Sequence, residues 1–296
     1  MRQRWNRLRA RLAARELFGI NRRNVELVYA HNRRRHYPIA DDKLLGKRHL
    51  SAAGVPVPAT LAVCEGLFAI PAVLAQLTDR EHFVIKPANG SGGDGILVVG
   101  ERADGHQWRR PNGAPIHATE LQRHLANIVY GAFSRKLDDR AFVEDRIEPH
   151  PVFRELWRDG LCDVRILTLR GAPIMAMTRV PTKMSGGRAN LHQGGIGLAV
   201  DLDTGHTVRA MHRQRIISRH PESGAALLGV PMPAWSRTLE VARRAAAAVP
   251  LGYLGVDIVV DVDRGPLVLE INARPGLEIQ NVHGHGLGAA IARRMT

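Results

Sequence analysis

Asp257, Glu270 and Asn272 are three oxygen-bearing side chains that a single hairpin would gather at one spot. Between Gly255 and Gly276, two apolar runs flank a turn-forming Asp263-Arg264-Gly265, the pattern of two antiparallel strands. Side chains alternate along a strand, so Glu270 and Asn272 share a face. Asp257 precedes the turn by about as far as Glu270 follows it, so pairing sets the two carboxylates opposite each other. Arg274 follows on the same face. Buried like charges repel unless a cation stands between them. Hard oxygen ligands of this kind suit Mg²⁺, which usually takes one or two carboxylates together with substrate phosphates. The expectation is a protein that handles a nucleoside triphosphate through magnesium.

A second group of residues fits phosphate. The stretch from Phe83 to Val99 runs apolar, then Lys86-Pro87, then a loop holding Gly90, Ser91, Gly92, Gly93 and Gly95, then apolar again. Gly90, Gly92 and Gly95 form a nominal G-x-G-x-x-G, but a dinucleotide fold needs a helix after it and a β-rich run follows here. No Gly-Lys-Ser/Thr is present, so it is not a Walker A loop. What remains is a strand–glycine-loop–strand clasp. Its backbone N–H groups can approach phosphate oxygens closely, and Lys86 adds charge at the strand end. The plainer alternative is a long hairpin with no ligand.

The elements that must position these groups follow from periodicity and punctuation. Helices are expected at residues 2–18 and 22–34, with a break at Gly19-Ile20-Asn21 and an end at Tyr37-Pro38. Asp41 or Asp42 can cap a helix running to about Ala53, where Gly54 stops it. Strands are read near residues 60–63, 82–86, 96–99 and 142–145, with helices at 70–79 and 121–132. Residues 100–115 read as a polar, Gly/Pro-containing region. Strands at 164–169 and 174–179 pair around Arg170-Gly171-Ala172, and a polar Gly-rich loop spans 183–195. Strands at 198–200 and 207–210 and a helix at 234–248 lead into the carboxylate hairpin. Hairpin-joined strands with helices between them indicate α+β.

Composition narrows the class. The chain has 296 residues, enough for one large or two modest domains. No apolar run approaches the ~18 residues of a membrane span, and the N-terminus lacks the apolar stretch of a secretory signal. Cys64 and Cys162 stand alone without metal or redox spacing, which fits a cytoplasmic protein. Residues 1–40 carry a net +9 of the chain's +14. Trp5, Leu8, Leu12 and Phe18 are spaced roughly for one helix face with Arg between them. Such a helix docks on the body of its own protein, or meets an acidic protein tail or a membrane surface. Specific nucleic-acid binding is not expected, because the chain is only 5% aromatic and offers no stacking platform. Only five basic residues are Lys, and Lys43 and Lys86 both fall in the motifs.

Taken in order, Asp42-Lys43, Gly54-Val55-Pro56, Val84-Ile85-Lys86-Pro87 with its glycine loop, Phe142-Val143-Glu144-Asp145, Gly255-Val256-Asp257 and Glu270-Ile271-Asn272-Ala273-Arg274-Pro275 resemble the ATP-grasp superfamily over roughly residues 41–280. Cys162-Asp163-Val164-Arg165 and Asn190-Leu191-His192 resemble the glutamate ligases within it. Asn21-Arg22-Arg23-Asn24 followed by Pro38 and Asp42-Lys43 resembles the alpha-L-glutamate ligase-related (RimK-like) branch. The resemblance implies an α+β ATP-grasp fold of two lobes clasping ATP, with residues 1–40 as a basic helical extension before a domain at 41–296. It implies a ligase that transfers the γ-phosphoryl group to a carboxylate and lets an amine displace it, with an amino acid such as glutamate or a peptide as substrate.

By that resemblance, Lys43 and Lys86 contact the ATP phosphates and Gly90, Ser91, Gly92, Gly93 and Gly95 cover them. Glu144, Asp145 and Ile147 form the adenine hinge, and Asp163 binds the ribose hydroxyls. Asp257, Glu270 and Asn272 hold Mg²⁺ or Mn²⁺, two ions bridged by Glu270. Arg165, Arg179, Arg188, Asn190, His192 and Arg274 line the acceptor side. Plainer alternatives stand beside these roles. Lys47 can replace Lys43 one turn later. Asp163 and Arg165 can form a same-face ion pair. Arg179 and Arg188 can be solvated charges, and His192 a loop hydrogen-bonder. His283 and His285 lack a third metal ligand and read as a Gly-rich surface turn. Many relatives carry a Rossmann-like domain before the first lysine, whereas forty residues precede Asp41 here, so the substrate platform is expected to be missing or replaced. Two rival activities are an ATP-grasp kinase acting on a hydroxyl and a non-catalytic nucleotide-binding module.

Overall fold

The computed structural model describes residues 16–103, 107–134 and 138–295, and the chain divides into two units. The glycine-loop unit takes Asp41–Arg48 and Val57–Ile147; the sheet unit takes the chain up to Ala40, His49–Pro56 and everything from Glu148.

In the glycine-loop unit, β1 (Thr60–Cys64), β2 (Phe83–Pro87), β3 (Leu97–Val99) and β7 (Ala141–Glu144) form an antiparallel sheet in the order β1-β7-β2-β3. The core lies on the face of Phe83, Ile85, Val99 and Val143. Helix Ala118–Val129 turns Leu121, Leu125 and Ile128 onto it, an i, i+4, i+7 stripe. Helix Ile70–Leu77 adds Val73 and Leu77. The polar region at 100–115 holds a second sheet of β4 (Glu101–Arg102), β5 (Gln107–Arg109) and β6 (Pro115–His117). Each strand is two or three residues long with at most one apolar side chain, too short for a period to show. Trp108 and Ile116 anchor it, the indole standing edge-on to Phe83 with ring centroids 6.0 Å apart.

The sheet unit is built on seven antiparallel strands. They are β8 (Asp163–Leu169), β9 (Ala172–Val180), β10 (Ile196–Val200), β11 (Thr207–His212), β12 (Arg215–Ile217), β13 (Tyr253–Asp261) and β14 (Gly265–Asn272), in the order β12-β11-β10-β9-β8-β13-β14. Arg170 and Gly171, both at positive φ, make the tight β8–β9 turn. β13 is buried along its whole length, and helix Trp235–Ala247 packs Val241, Ala242 and Ala245 against β8, β13 and β14. A helix Pro151–Leu156, started by a proline and capped by the His150 ring, and two C-terminal helices, Glu278–His283 and Leu287–Met295, were not evident from pattern.

The helix expected at 2–18, with Trp5, Leu8 and Leu12, lies outside the described residues apart from its last three, which are not helical. The next helix begins at Ile20 and passes into a π-helical stretch, Asn24–Tyr29, turning Arg23, Leu27 and Val28 inward. Pro38 starts a short helix, Pro38–Asp41, because a first-turn position has no helical hydrogen bond to lose. Residues 16–40 are tied into the sheet unit. The Asn32 amide donates to the carbonyls of Tyr253 at 2.7 Å and Ala273 at 2.8 Å, and its oxygen accepts from Tyr253 N at 2.9 Å. Phe18 and Gln280 exchange a reciprocal pair of hydrogen bonds. Among the described residues no helix is long and apolar enough to cross a membrane.

Candidate functional site

The carboxylate hairpin forms in the register the chemistry requires, by way of a bulge. Asp261 pairs with Gly265 at the turn, so a regular ladder would set Asp257 across from Leu269. A register shift between Asp257 and Ile258 inserts one extra residue on β14 and brings Glu270 opposite Asp257, with Asn272 opposite Gly255. The Glu270 carboxylate lies within hydrogen-bonding reach of Asp257, and the Asn272 amide donates to Asp257 Oδ2 at 3.4 Å.

Around them stands a buried network. Arg165, directly across from Asp257 on β8, donates to both its oxygens at 2.7 and 2.6 Å. Arg179 on β9 forks onto Asp163, its register partner, and reaches Asp257 Oδ2 at 2.8 Å. Asp163 and Arg165 share a strand face but each pairs across the sheet. Asp163 therefore presents its oxygens to Arg179 and not to an open surface. Burial would raise Asp257, yet Arg165 and Arg179 hold it well below the carboxylate range. Burial pushes Asp163 up to about 6 against the pull of Arg179. The residue types are those a hard divalent cation takes, two facing carboxylates with an amide beside them, and in this structure both Asp257 oxygens accept from Arg165 and Arg179. Arg274 is exposed and lies over the Tyr37 ring, 4.8 Å from its centroid.

The loop at 183–195 holds Arg188, Asn190 and His192. The Asn190 side chain accepts from His192 N at 3.0 Å and starts a 3₁₀ turn, while Arg188 and His192 are exposed. His283 and His285 lie at a helix end in edge contact, and no cluster of three metal-binding side chains of the His/Cys/Asp/Glu kind occurs among the described residues. His283 is half-buried and meets the Ala176 carbonyl at 2.7 Å; burial pulls it down to about 4. The unfolded chain then binds that proton more tightly than the folded one. The stability this histidine contributes is present above pH 6.5 and is lost as pH falls from there through 4, about 3 kcal/mol in full. A His283→Gln variant should lose less stability than the parent between pH 7 and pH 4.5 in urea titrations; parallel losses would refute this.

In the glycine-loop unit the phosphate-binding candidates are braced from several sides. Lys43 donates to the Gly90 carbonyl from the first turn of helix Lys43–Ala52, where Asp42 caps the Leu45 N–H at 2.9 Å. Asp139 accepts from both the backbone and side-chain nitrogens of Asn89 and fixes the loop's base. At the far end, His124 Nε2 bonds the Gly95 carbonyl at 2.9 Å, beneath Phe133. Ser91 and Gly92 are exposed, and Gly92, Gly93 and Gly95 all have positive φ. A Cβ on Gly95 would stand 2.5 Å from the Phe133 ring, whereas one on Gly113, also at positive φ, would meet nothing. Gly95→Ala should therefore cost about 1–3 kcal/mol and clearly more than Gly113→Ala. Equal shifts in urea midpoint would show that Phe133 does not clamp the loop.

Lys86 and Lys47 both grip Glu144. Its buried carboxylate takes Lys47 at 2.5 Å on one oxygen and Lys86 on the other. Burial would raise Glu144, but the two lysines hold it below the ordinary carboxylate value, and burial pulls Lys47 down. By pattern Lys47 is only a stand-in for Lys43; its pairing with Glu144 joins residues 97 apart along the chain. Asp145 bonds the Ala59 carbonyl through its N–H at 3.0 Å, and Ile147 is buried beyond it.

The architecture is the ATP-grasp fold. A biotin carboxylase–β,γ-ATP complex from Campylobacter jejuni superposes with a TM-score of 0.51 over 83% of this chain and 43% of that one, at 16% identity. The chain belongs to the sugar-transfer-associated ATP-grasp family, whose sequence profile matches residues 22–293. The superfamily resemblance read from the motifs is thereby borne out. The ribosomal protein bS6–L-glutamate ligase of Escherichia coli O7:K1 is 26% identical over 242 residues, 81% of this chain and 57% of that protein. A probable alpha-L-glutamate ligase of Sodalis glossinidius is 33% identical over 116 residues, 39% of this chain and 28% of that protein. The chain thus spans little more than half the length of the first of these relatives and less of the second.

Proposed function

We propose that the chain is an ATP- and Mg²⁺-dependent carboxylate–amine ligase. The observation that carries this reading is the bulged β13–β14 register, which faces Asp257 with Glu270 and sets Asn272 beside them. These three would hold Mg²⁺, two ions where Glu270 bridges, and the metal supplies neutralisation of charge on the phosphoryl oxygens. Lys86 and Lys43 donate to the phosphates, and Lys47 then keeps the buried Glu144 neutralised. The Gly90–Gly95 amides cover the phosphates and exclude water. Glu144, Asp145 and Ile147 meet the base through backbone and apolar atoms. Asp163 holds Arg179 in place, with the ribose as a secondary partner. Arg165, Arg179 and Arg274 balance negative charge on the acyl group, and Arg188, Asn190 and His192 face the acceptor.

The chemistry is two displacements. A substrate carboxylate oxygen bonds to the γ-phosphorus as the bridging bond to the β-phosphate breaks, and ADP departs. An amine then attacks the acyl carbon, the C–O bond breaks, inorganic phosphate leaves and the amine proton passes to solvent. Two buried, unpaired cysteines suit a cytoplasmic setting for this reaction. Similarity to the bS6–L-glutamate ligase makes glutamate the first amino acid to test.

The test is ATP turnover with Mg²⁺ against amino acids and acidic peptides, following ADP and product mass. ADP with a condensed product of matching mass supports the ligase. A gain of one phosphoryl group that survives hydroxylamine replaces it with a kinase acting on a hydroxyl. Mg-ATP binding without turnover across the panel goes against the ligase.

A further inference from the structure

Among the described residues, Arg23 is a buried cation without a counter-ion. Its side chain is tied down at one point, Nη1 donating to the Pro275 carbonyl at 2.7 Å, while Nε is buried with no partner. Among the described residues no carboxylate pairs with it, and residues 1–15 contain no Asp or Glu. Isolated buried charge is costly, so a guanidinium kept this way calls for an anion. A second orphan stands near it. The Tyr253 side chain is wholly buried and its hydroxyl also lacks a partner. Burial pushes that hydroxyl's pKa up, with Arg23 and Arg165 both close enough to oppose the rise, so it keeps its proton and can donate.

These groups lie on the face that bears the metal candidates. Tyr253, Gly255 and Asp257 alternate along β13, opposite Leu169, Leu167 and Arg165 of β8. Four residues of strand separate Tyr253 from Asp257, about 13 Å. Pro275 packs over Gly255 between them, where a Cβ would stand 2.8 Å from its ring. The segment carrying Arg23 is fixed over the Tyr253 end by Asn32.

We propose that Arg23 and the Tyr253 hydroxyl form a subsite for a carboxylate remote from the reacting centre, so that residues 20–32 contribute to substrate selection. The unpartnered Nε–H of Arg23 and the Tyr253 hydroxyl offer two donors beside a single positive charge, which matches the two oxygens and single charge of a carboxylate. The identity of the molecule bearing that carboxylate rests on the ligase reading; the subsite itself does not.

The test uses the full chain with 3-fluorotyrosine at its four tyrosines, the Tyr253 resonance being assigned from Tyr253→Phe. Glutarate, L-glutamate and acetate are titrated at constant ionic strength against chloride and followed by ¹⁹F NMR. The expected result is a saturable shift of the Tyr253 resonance with carboxylates and not with chloride. It should weaken at least ~10-fold in Arg23→Met, weaken less in Arg23→Lys, and persist in Glu270→Gln. No saturable shift means that the orphaned groups hold water only and overturns the proposal. So does a shift equal with chloride, or one unchanged in a folded Arg23→Met or Arg23→Lys chain. A chain that shows the carboxylate shift but turns over no ATP keeps the subsite and loses the ligase.

Discussion

Asp257→Ala should destabilise the sheet unit by about 3–5 kcal/mol and abolish turnover as well. The stability loss comes from what is left behind. Arg179 keeps its fork onto Asp163, but Arg165, largely buried, loses the carboxylate that takes two of its donors. Removing one partner of a buried pair costs far more than the pair was worth, because the remaining charge cannot recover its hydration. This gives the prediction a second part. Arg165→Met introduced into Asp257→Ala should restore much of the stability and none of the activity. Urea midpoints of the two single variants and the double variant measure the coupling directly. An additive cycle, with no recovery in the double variant, would mean that Arg165 is solvated well enough to stand alone.

Glu270→Gln separates chemistry from stability. Glu270 is half-buried on β14, less enclosed than Asp257. The substitution keeps the shape and removes one full charge from the proposed cation site. Turnover should fall roughly 10²–10³-fold while the urea midpoint stays within ~0.5 kcal/mol of the parent. Raising Mg²⁺ should recover part of the rate, since the main loss is metal affinity. Wild-type turnover in this variant would remove Glu270 from the metal site and leave the ligase reading without its carrying observation.

The carboxylate hairpin and the glycine loop were legible to different degrees, for physical reasons. Turn chemistry at Asp263-Arg264-Gly265 and the apolar runs beside it located the hairpin, and the carboxylate types pointed to a hard cation as the ligand to propose. The bulge that brings Glu270 to Asp257 has no sequence signature of its own, because Leu269 simply continues the apolar run of Leu267 and Val268. The ion-pair partners were hidden for a related reason. Two residues apart on one strand, Asp163 and Arg165 look like partners, but their real partners, Arg179 and Asp257, come from two different flanking strands. The glycine loop was plain from composition, whereas its braces at Asp139, His124 and Phe133 lie 40 or more residues beyond the start of the loop or on a helix whose stripe reads simply as core. Arg23 was hidden by its company. In a segment with eleven arginines, nothing in the sequence marks the one that turns inward.

The order of strands in the sheet unit has a consequence for how the protein acquires its shape. β8 through β12 follow one another as neighbours, and apart from β9–β10, joined through residues 181–195, each hairpin closes over a short loop and can form early. β13 breaks that sequence by pairing with β8, and the Arg165–Asp257 contact bridges 92 residues. Closing so long a loop is the step whose entropy must be met before any of its contacts repay it. The carboxylates, the arginines and the Asn32 tie therefore come together in one late event. A chain stalled before it holds most of its secondary structure and none of the proposed metal-binding face, so recovery of Mg²⁺ affinity during refolding should trail recovery of the far-ultraviolet signal.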